Sequence, residues 1–229
     1  MGYGAREGLY SRIPKYDSDG NLIFSFKDCI QAVWINMFPL MKANWCFLLF
    51  CIPIVTIPAA FTCLYGVCTD IVNNRCNKIF KTFIQIFKAE WLHSLAIGIP
   101  AMLVLAMGAQ SAIFYFGKLG ETKFWLLPAC LTCALLLLLL MMLPMIHIML
   151  ARVDVPVKTA IKNSVFIAIL KVRCTLPAAA IGLLATYLQA RYLIFAVPVL
   201  FLIGISLPVM IIAYLDMNAI QQVILPEGW

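Results

Sequence analysis

Residues 125–150 read WLLPACLTCALLLLLLMMLPMIHIML. No charge interrupts the run, and it exceeds the roughly 20 apolar residues that cross a hydrocarbon core about 30 Å thick. A chain of 229 residues has too little other material to surround so long an apolar helix in water, so its solvent is a lipid bilayer. Composition agrees, with 64% hydrophobic and 12% charged residues, where an ordinary soluble domain is roughly 45–50% apolar. The polar stretches between apolar segments are short and carry Phe, Ile and Val themselves, which leaves no room for a separate soluble domain.

Working outward, four segments read as complete spans: 91–116, 124–150, 170–190 and 192–215. Pro100, Pro128, Pro144, Pro177, Pro198 and Pro208 lie in or near them and predict kinked helices, which membrane bundles tolerate when neighbours satisfy the freed carbonyls. The region 43–69 is apolar but broken at Pro53-Ile54-Val55-Thr56-Ile57-Pro58. Each flank offers about ten strongly apolar residues, or about 15 Å of helix, so a hairpin is expected, either crossing fully or re-entering. The expected fold is an all-α polytopic membrane bundle of four full spans plus this hairpin, six helices if it crosses. A cytoplasmic arm 1–30 precedes a single membrane domain 31–217, and a short tail 218–229 follows.

Charge fixes the expected orientation. The connections 70–90 and 152–173 carry Arg75, Lys78, Lys81, Lys88, Arg152, Lys158, Lys162, Lys171 and Arg173, whereas the alternating ones hold Lys118, Lys123 and Arg191. Nine against three places the richer connections in the cytoplasm. Arg6, Arg12, Lys15, Lys27 and Lys42 place the N-terminal arm there too, and an even number of crossings in the hairpin reconciles the two ends, both cytoplasmic. The first 21 residues lack the apolar core of an export signal. The net charge of +7 is accounted for by this retention of Lys and Arg rather than by nucleic acid.

Two cytoplasmic segments look amphipathic. In 79–91, IFKTFIQIFKAEW, the residues Phe80, Phe83, Phe87 and Trp91 recur at helical spacing while Lys81, Gln85 and Lys88 lie mostly elsewhere. In 157–170, Ile161, Val165 and Ala168 are expected to face one way and Lys158 and Lys162 another. Both are expected as elbow helices at headgroup level. Phe80, Phe83, Phe87, Lys81, Lys88, Lys158 and Lys162 are also the candidate surface for a cytoplasmic partner.

Chemistry is sparse. His93 and His147 sit on different spans near the cytoplasmic side, without a His, Cys or carboxylate at i+3 or i+4, and read as structural residues. The thiols of Cys130 and Cys133 share a helical face but have no second ligand pair at metal-binding spacing. Most of the nine cysteines lie in apolar runs as small hydrophobes. There is no Gly-rich phosphate loop or His-Glu-x-x-His. Neither a catalytic centre nor a cofactor or metal site is expected. Asp154 and Asp216 read as helix-terminal, which disfavours proton coupling through a buried carboxylate. Asn44, Gln110 and Ser111 are the residues from which a substrate path would be built.

Lys42-Ala43-Asn44-Trp45, Phe50 through Thr56, Ala59-Ala60 and Leu64-Tyr65 together resemble the YesL-like family of small bacterial membrane proteins. The resemblance continues through Phe80-Lys81-Thr82-Phe83 to Phe87-Lys88, then Ala151-Arg152, Lys162-Asn163, and Gly204 through Pro208 with Tyr214. It spans about 36–215 and is densest over 42–87. Asn44, Pro53, Thr56, Pro58, Tyr65, Ser206 and Pro208 form its candidate structural motif, Thr56 as a cap for the helix that begins near Pro58. The resemblance implies an accessory membrane subunit for carbohydrate uptake by an ABC transporter in the bacterial cytoplasmic membrane, with permease or ATPase subunits as partners. An independent small carrier or channel, and a membrane sensor or scaffold, are the alternatives.

Overall fold

The computed structural model describes residues 26–73, 78–118, 120, 122–153, 156–192 and 197–224, with the side chains of 26–29, 123, 218 and 221–224 outside the description. Most of the expected arm 1–30 falls outside it, as do Arg75, Asp154 and residues 225–229 of the expected tail, whose first part, 218–224, is helical. Every described regular element is helical. α1 (Phe26–Ile35) and α2 (Met37–Phe50) lead through a 3-10 turn at Ile54–Thr56 into α3 (Ile57–Val72). Then come α4 (Ile79–Lys118), α5 (Leu126–Arg152), α6 (Val157–Leu170) and α7 (Val172–Arg191). A π-helical segment at Leu200–Gly204 leads into α8 (Ser206–Ile224).

Three segments are long and apolar enough to cross a membrane, Ile54–Val72, Ile79–Lys118 and Leu126–Arg152, and two bent pairs raise the number to as many as five. This is a polytopic membrane bundle. The expected spans 91–116 and 124–150 lie in α4 and α5. The expected span 170–190 is half of a pair in which α6 and α7 meet at 102° around Lys171, and 192–215 is bent by 42° at Ile205. Helix continues through Pro100, Pro144 and Pro177, so the two sharp breaks fall elsewhere.

α3 is the hub. Pro58 sits in its first turn, where a missing N–H costs nothing. Leu64, Val67 and Cys68 are fully buried among α2, α4, α5 and α8. The apolar flank after the proline break is therefore longer than ten residues: the helix runs on to Val72 because Thr62 and Thr69 turn inward instead of ending it.

Thr56 does not cap α3. Its hydroxyl lies 2.5 Å from Phe50 O and 2.6 Å from Pro53 O, so it donates backward and closes the end of α2. Ile52, Ile54 and Val55 at this tip are exposed.

The amphipathic segment 79–91 is no elbow, because it is the first third of α4, one 40-residue helix. At 1.5 Å per residue that is about 60 Å, twice the hydrocarbon core. At its far end Phe114 and Tyr115 meet Trp125, the Tyr115 and Trp125 rings stacking at 5.9 Å, an aromatic belt of the kind that marks a membrane interface. The segment 157–170 forms a separate helix bent by 102° from α7, but its facing differs from the expectation. Ala160, Ser164, Ile167 and Ala168 are buried, while Ile161 is exposed beside Lys158 and Lys162.

Candidate functional site

Three helices bring their polar residues to one place. Ser94 Oγ on α4 donates to Thr62 Oγ1 on α3 at 2.8 Å, and Thr62 Oγ1 lies 2.8 Å from His147 Nδ1 on α5. The His147 ring lies parallel to that of Tyr65, with centroids 5.8 Å apart and 3° between planes. His147 therefore has partners from other helices rather than its own. His93 is separate and exposed, its Nδ1 3.0 Å from Glu90 Oε2 one turn earlier.

His147 and Tyr65 line a cavity of about 480 Å³ between α3, α4, α5, α7 and α8. Its close approach of α3 to α4 depends on Gly98: a Cβ there would lie 2.2 Å from Pro58 Cβ. The remaining wall is mostly apolar. Of its other polar side chains, Thr186 donates to Gly182 O at 2.8 Å and Gln189 Nε2 to Gly204 O at 2.7 Å.

The candidate motif residues divide into three groups. Asn44, fully buried, clasps the broken helix: Nδ2 donates to Leu200 O at 2.7 Å and Phe201 O at 3.0 Å. Its Oδ1 accepts from Ile205 N at 3.3 Å and Ser206 N at 3.2 Å. Trp45 Nε1 adds a bond to Phe201 O at 3.0 Å. A π segment frees carbonyls from the regular ladder, and the Asn44 amide supplies both the donors and the acceptor that this break requires. Pro58, Tyr65 and Pro208 instead line the cavity, and Thr56 and Pro53 shape the hairpin tip. The expected path through Asn44, Gln110 and Ser111 does not form, since Asn44 is spent on backbone, Gln110 is exposed and Ser111 Oγ donates to Met107 O.

Asp216 is where the sequence reading fails most. It is not helix-terminal: α8 continues to Ile224, and Ala219 and Ile220 beyond it are buried. The carboxyl is 0% exposed, and neither oxygen has a hydrogen-bond partner among the described residues. Tyr65 and Cys174 lie within its electrostatic range. A buried, unpartnered carboxyl inside a membrane bundle marks function more often than packing.

At the end of α3 and α5, Arg152 donates to Gly66 O through Nε at 3.1 Å and Nη2 at 2.8 Å, and Nη2 reaches Asp70 Oδ2 at 2.6 Å. This clip puts the two basic connections at the same end of the bundle. The candidate partner surface is smaller than expected. Phe83 is 0% exposed and Phe87 half-buried, both packed on Phe50 with centroids 5.1 and 4.8 Å away, whereas Phe80, Lys81, Lys88, Lys158 and Lys162 are exposed. Phe83 and Phe87 form an inward stripe, and Phe80 stands outside it.

Residues 40–109 match a family model described as a protein of unknown function, DUF624. The DUF624 segment overlaps the densest part of the YesL-like resemblance and is consistent with it. No curated protein and no solved structure is significantly similar to the chain. Asn44, Thr56, Pro58, Thr62, Tyr65, Ser94 and Gly98 fall within the DUF624 segment, whereas His147, Arg152, Ser206 and Asp216 lie beyond it.

Proposed function

We propose that this chain is a non-enzymatic accessory subunit of an ABC-type carbohydrate importer in the bacterial cytoplasmic membrane, with both termini on the cytoplasmic side. The observation that carries the reading is the Arg152 clip, which gathers exposed Lys81, Lys88, Lys158 and Lys162 with Phe80 toward one end of the bundle. Such a basic and aromatic end fits a partner's acidic cytoplasmic surface. The thin polar lining of the cavity argues against sugar binding by the chain itself, because a sugar needs several fixed hydrogen-bonding groups. The YesL-like resemblance supplies the importer. Gentle copurification with the neighbouring transporter tests the reading: a permease or ATPase subunit co-elutes, and charge reversal of the four lysines releases it. Absence of both subunits, with sugar uptake unchanged on deletion of the gene, refutes it.

Asp216 favours a second reading, an independent small carrier, since ionisable groups buried in membrane helices often bind the transported or coupling ion. That reading predicts flux in liposomes holding only this chain, abolished by Asp216→Asn. Liposomes that show no flux exclude it.

A further inference from the structure

His147 lines one end of the cavity, while at the other end Thr186 and Gln189 donate to the backbone at Gly182 O and Gly204 O, and the depth can be read from the helices that line it. His147 lies five residues before Arg152, about 7.5 Å along α5 from the basic end of the bundle. From His147 the lining continues along α5 through Pro144 and Leu143 to Leu140, about 10 Å deeper. The mouth opens sideways. Met102 and Leu183 line the cavity and are about half exposed, flanked by exposed Leu103 and Leu184 on the surface that in a bilayer touches acyl chains.

His147 is 8% exposed, with Nδ1 engaged by Thr62, and it forms the cavity wall at the end nearer the basic face. An amphiphile with one polar group at the head of an apolar chain matches this profile. A phospholipid carries an ester carbonyl at that place, just below its headgroup.

We propose that the cavity is a phospholipid site, holding an acyl chain along Leu143 and Leu140 and its ester carbonyl against His147 Nε2. The carbonyl accepts, so Nε2 carries the proton and Nδ1 accepts from the Thr62 hydroxyl, which in turn accepts from Ser94. The Thr62 hydroxyl also has Pro58 O within reach at 3.2 Å, so the bound carbonyl selects the arrangement in which it turns to Nδ1, and Thr62 and Ser94 act as positioning residues. A bound chain fills a gap that packing leaves empty behind Gly98 and Pro58 and joins α4 to α7 across the mouth.

The test uses the full chain in phosphatidylcholine nanodiscs that contain phosphatidylcholine with a diazirine in mid-chain, followed by peptide mapping of the photoproducts. Labelling is expected on Leu140 and Leu143 inside the cavity, and Ala179→Phe, which fills the space, should abolish it. His147→Leu should lower it about threefold to tenfold, the worth of one hydrogen bond, with His147→Gln, which keeps a donor, restoring part of the loss. Circular dichroism on each variant separates loss of the site from loss of the fold. Labelling confined to outward residues such as Leu131 and Leu135 overturns the proposal, as does cavity labelling unchanged in folded His147→Leu or Ala179→Phe. A water-filled cavity or one occupied by a partner helix gives the same unlabelled result and likewise overturns it.

Discussion

Adding one methyl group at Gly98 probes the close approach of α3 to α4. An Ala Cβ there would sit 2.2 Å from Pro58 Cβ, 2.8 Å from Pro58 Cγ and 3.4 Å from its Cα. The obstacle is a ring fixed to the backbone of the first turn of α3, so it cannot rotate away as a longer side chain would. Overpacking costs about 1–3 kcal/mol, and the stiffness of proline puts this site near the top of that range. Replacing Gly by Ala in a helix returns up to about 1 kcal/mol of backbone entropy, leaving a net loss of about 1–2 kcal/mol. At about 2–4 °C per kcal/mol for a chain of this size, the midpoint falls by about 2–8 °C. Gly117→Ala is the control, because nothing lies within 4 Å of its Cβ and only the entropic gain remains. The assay is thermal release of the buried Cys63 and Cys68 thiols to a maleimide dye in mild detergent, with the other seven cysteines replaced by Ala in every sample. Equal midpoints for the two glycine variants, or a gain for Gly98→Ala, would refute the reasoning.

Three further outcomes are expected. Asn44→Leu strips four hydrogen bonds from the break at Leu200–Ser206. The loss is about 2–4 kcal/mol if each bond is worth about 0.5–1 kcal/mol, and it shows as faster maleimide labelling of Cys68, whose Sγ lies 3.9 Å from Ser206 O. Arg152→Ala leaves Asp70 half-buried without its guanidinium and is expected to cost about 1–3 kcal/mol. The double variant with Asp70→Ala should recover part of that loss in a thermal double-mutant cycle, and strict additivity would mean that the pair does not couple. Asp216→Asn keeps the shape of a buried group that has no hydrogen-bond partner among the described residues and cannot become charged there, so the thermal midpoint should stay level or rise. A fall of several degrees would show that the carboxylate is stabilised by an interaction absent among the described residues.

The sequence makes the solvent legible because apolar runs and charge bias are local properties that need no knowledge of neighbours. That is why the spans 91–116 and 124–150 and the turn at Pro53 to Pro58 are found where expected. Facing is harder to read in lipid. Ile161 is apolar and exposed, and Asn44 and Asp216 are polar and fully buried, so hydrophobicity does not mark the inside of a membrane bundle as it marks the core of a soluble one. Pairings are hidden for a further reason. Thr62 and His147 are 85 positions apart, and Asn44 reaches across more than 150 to the π segment. Asp216 is misread because its place depends on where α8 ends, and the apolar run fades near Leu215 while the helix continues to Ile224.

The unbroken length of α4 has a mechanical consequence. A rod of about 60 Å that pivots near its aromatic end and tilts by about 10° sweeps its other tip through roughly 10 Å. Phe80 and Lys81 ride on that tip. To the extent that the helix stays stiff through Pro100, small adjustments around Trp125 in the lipid would arrive at the far tip as large displacements.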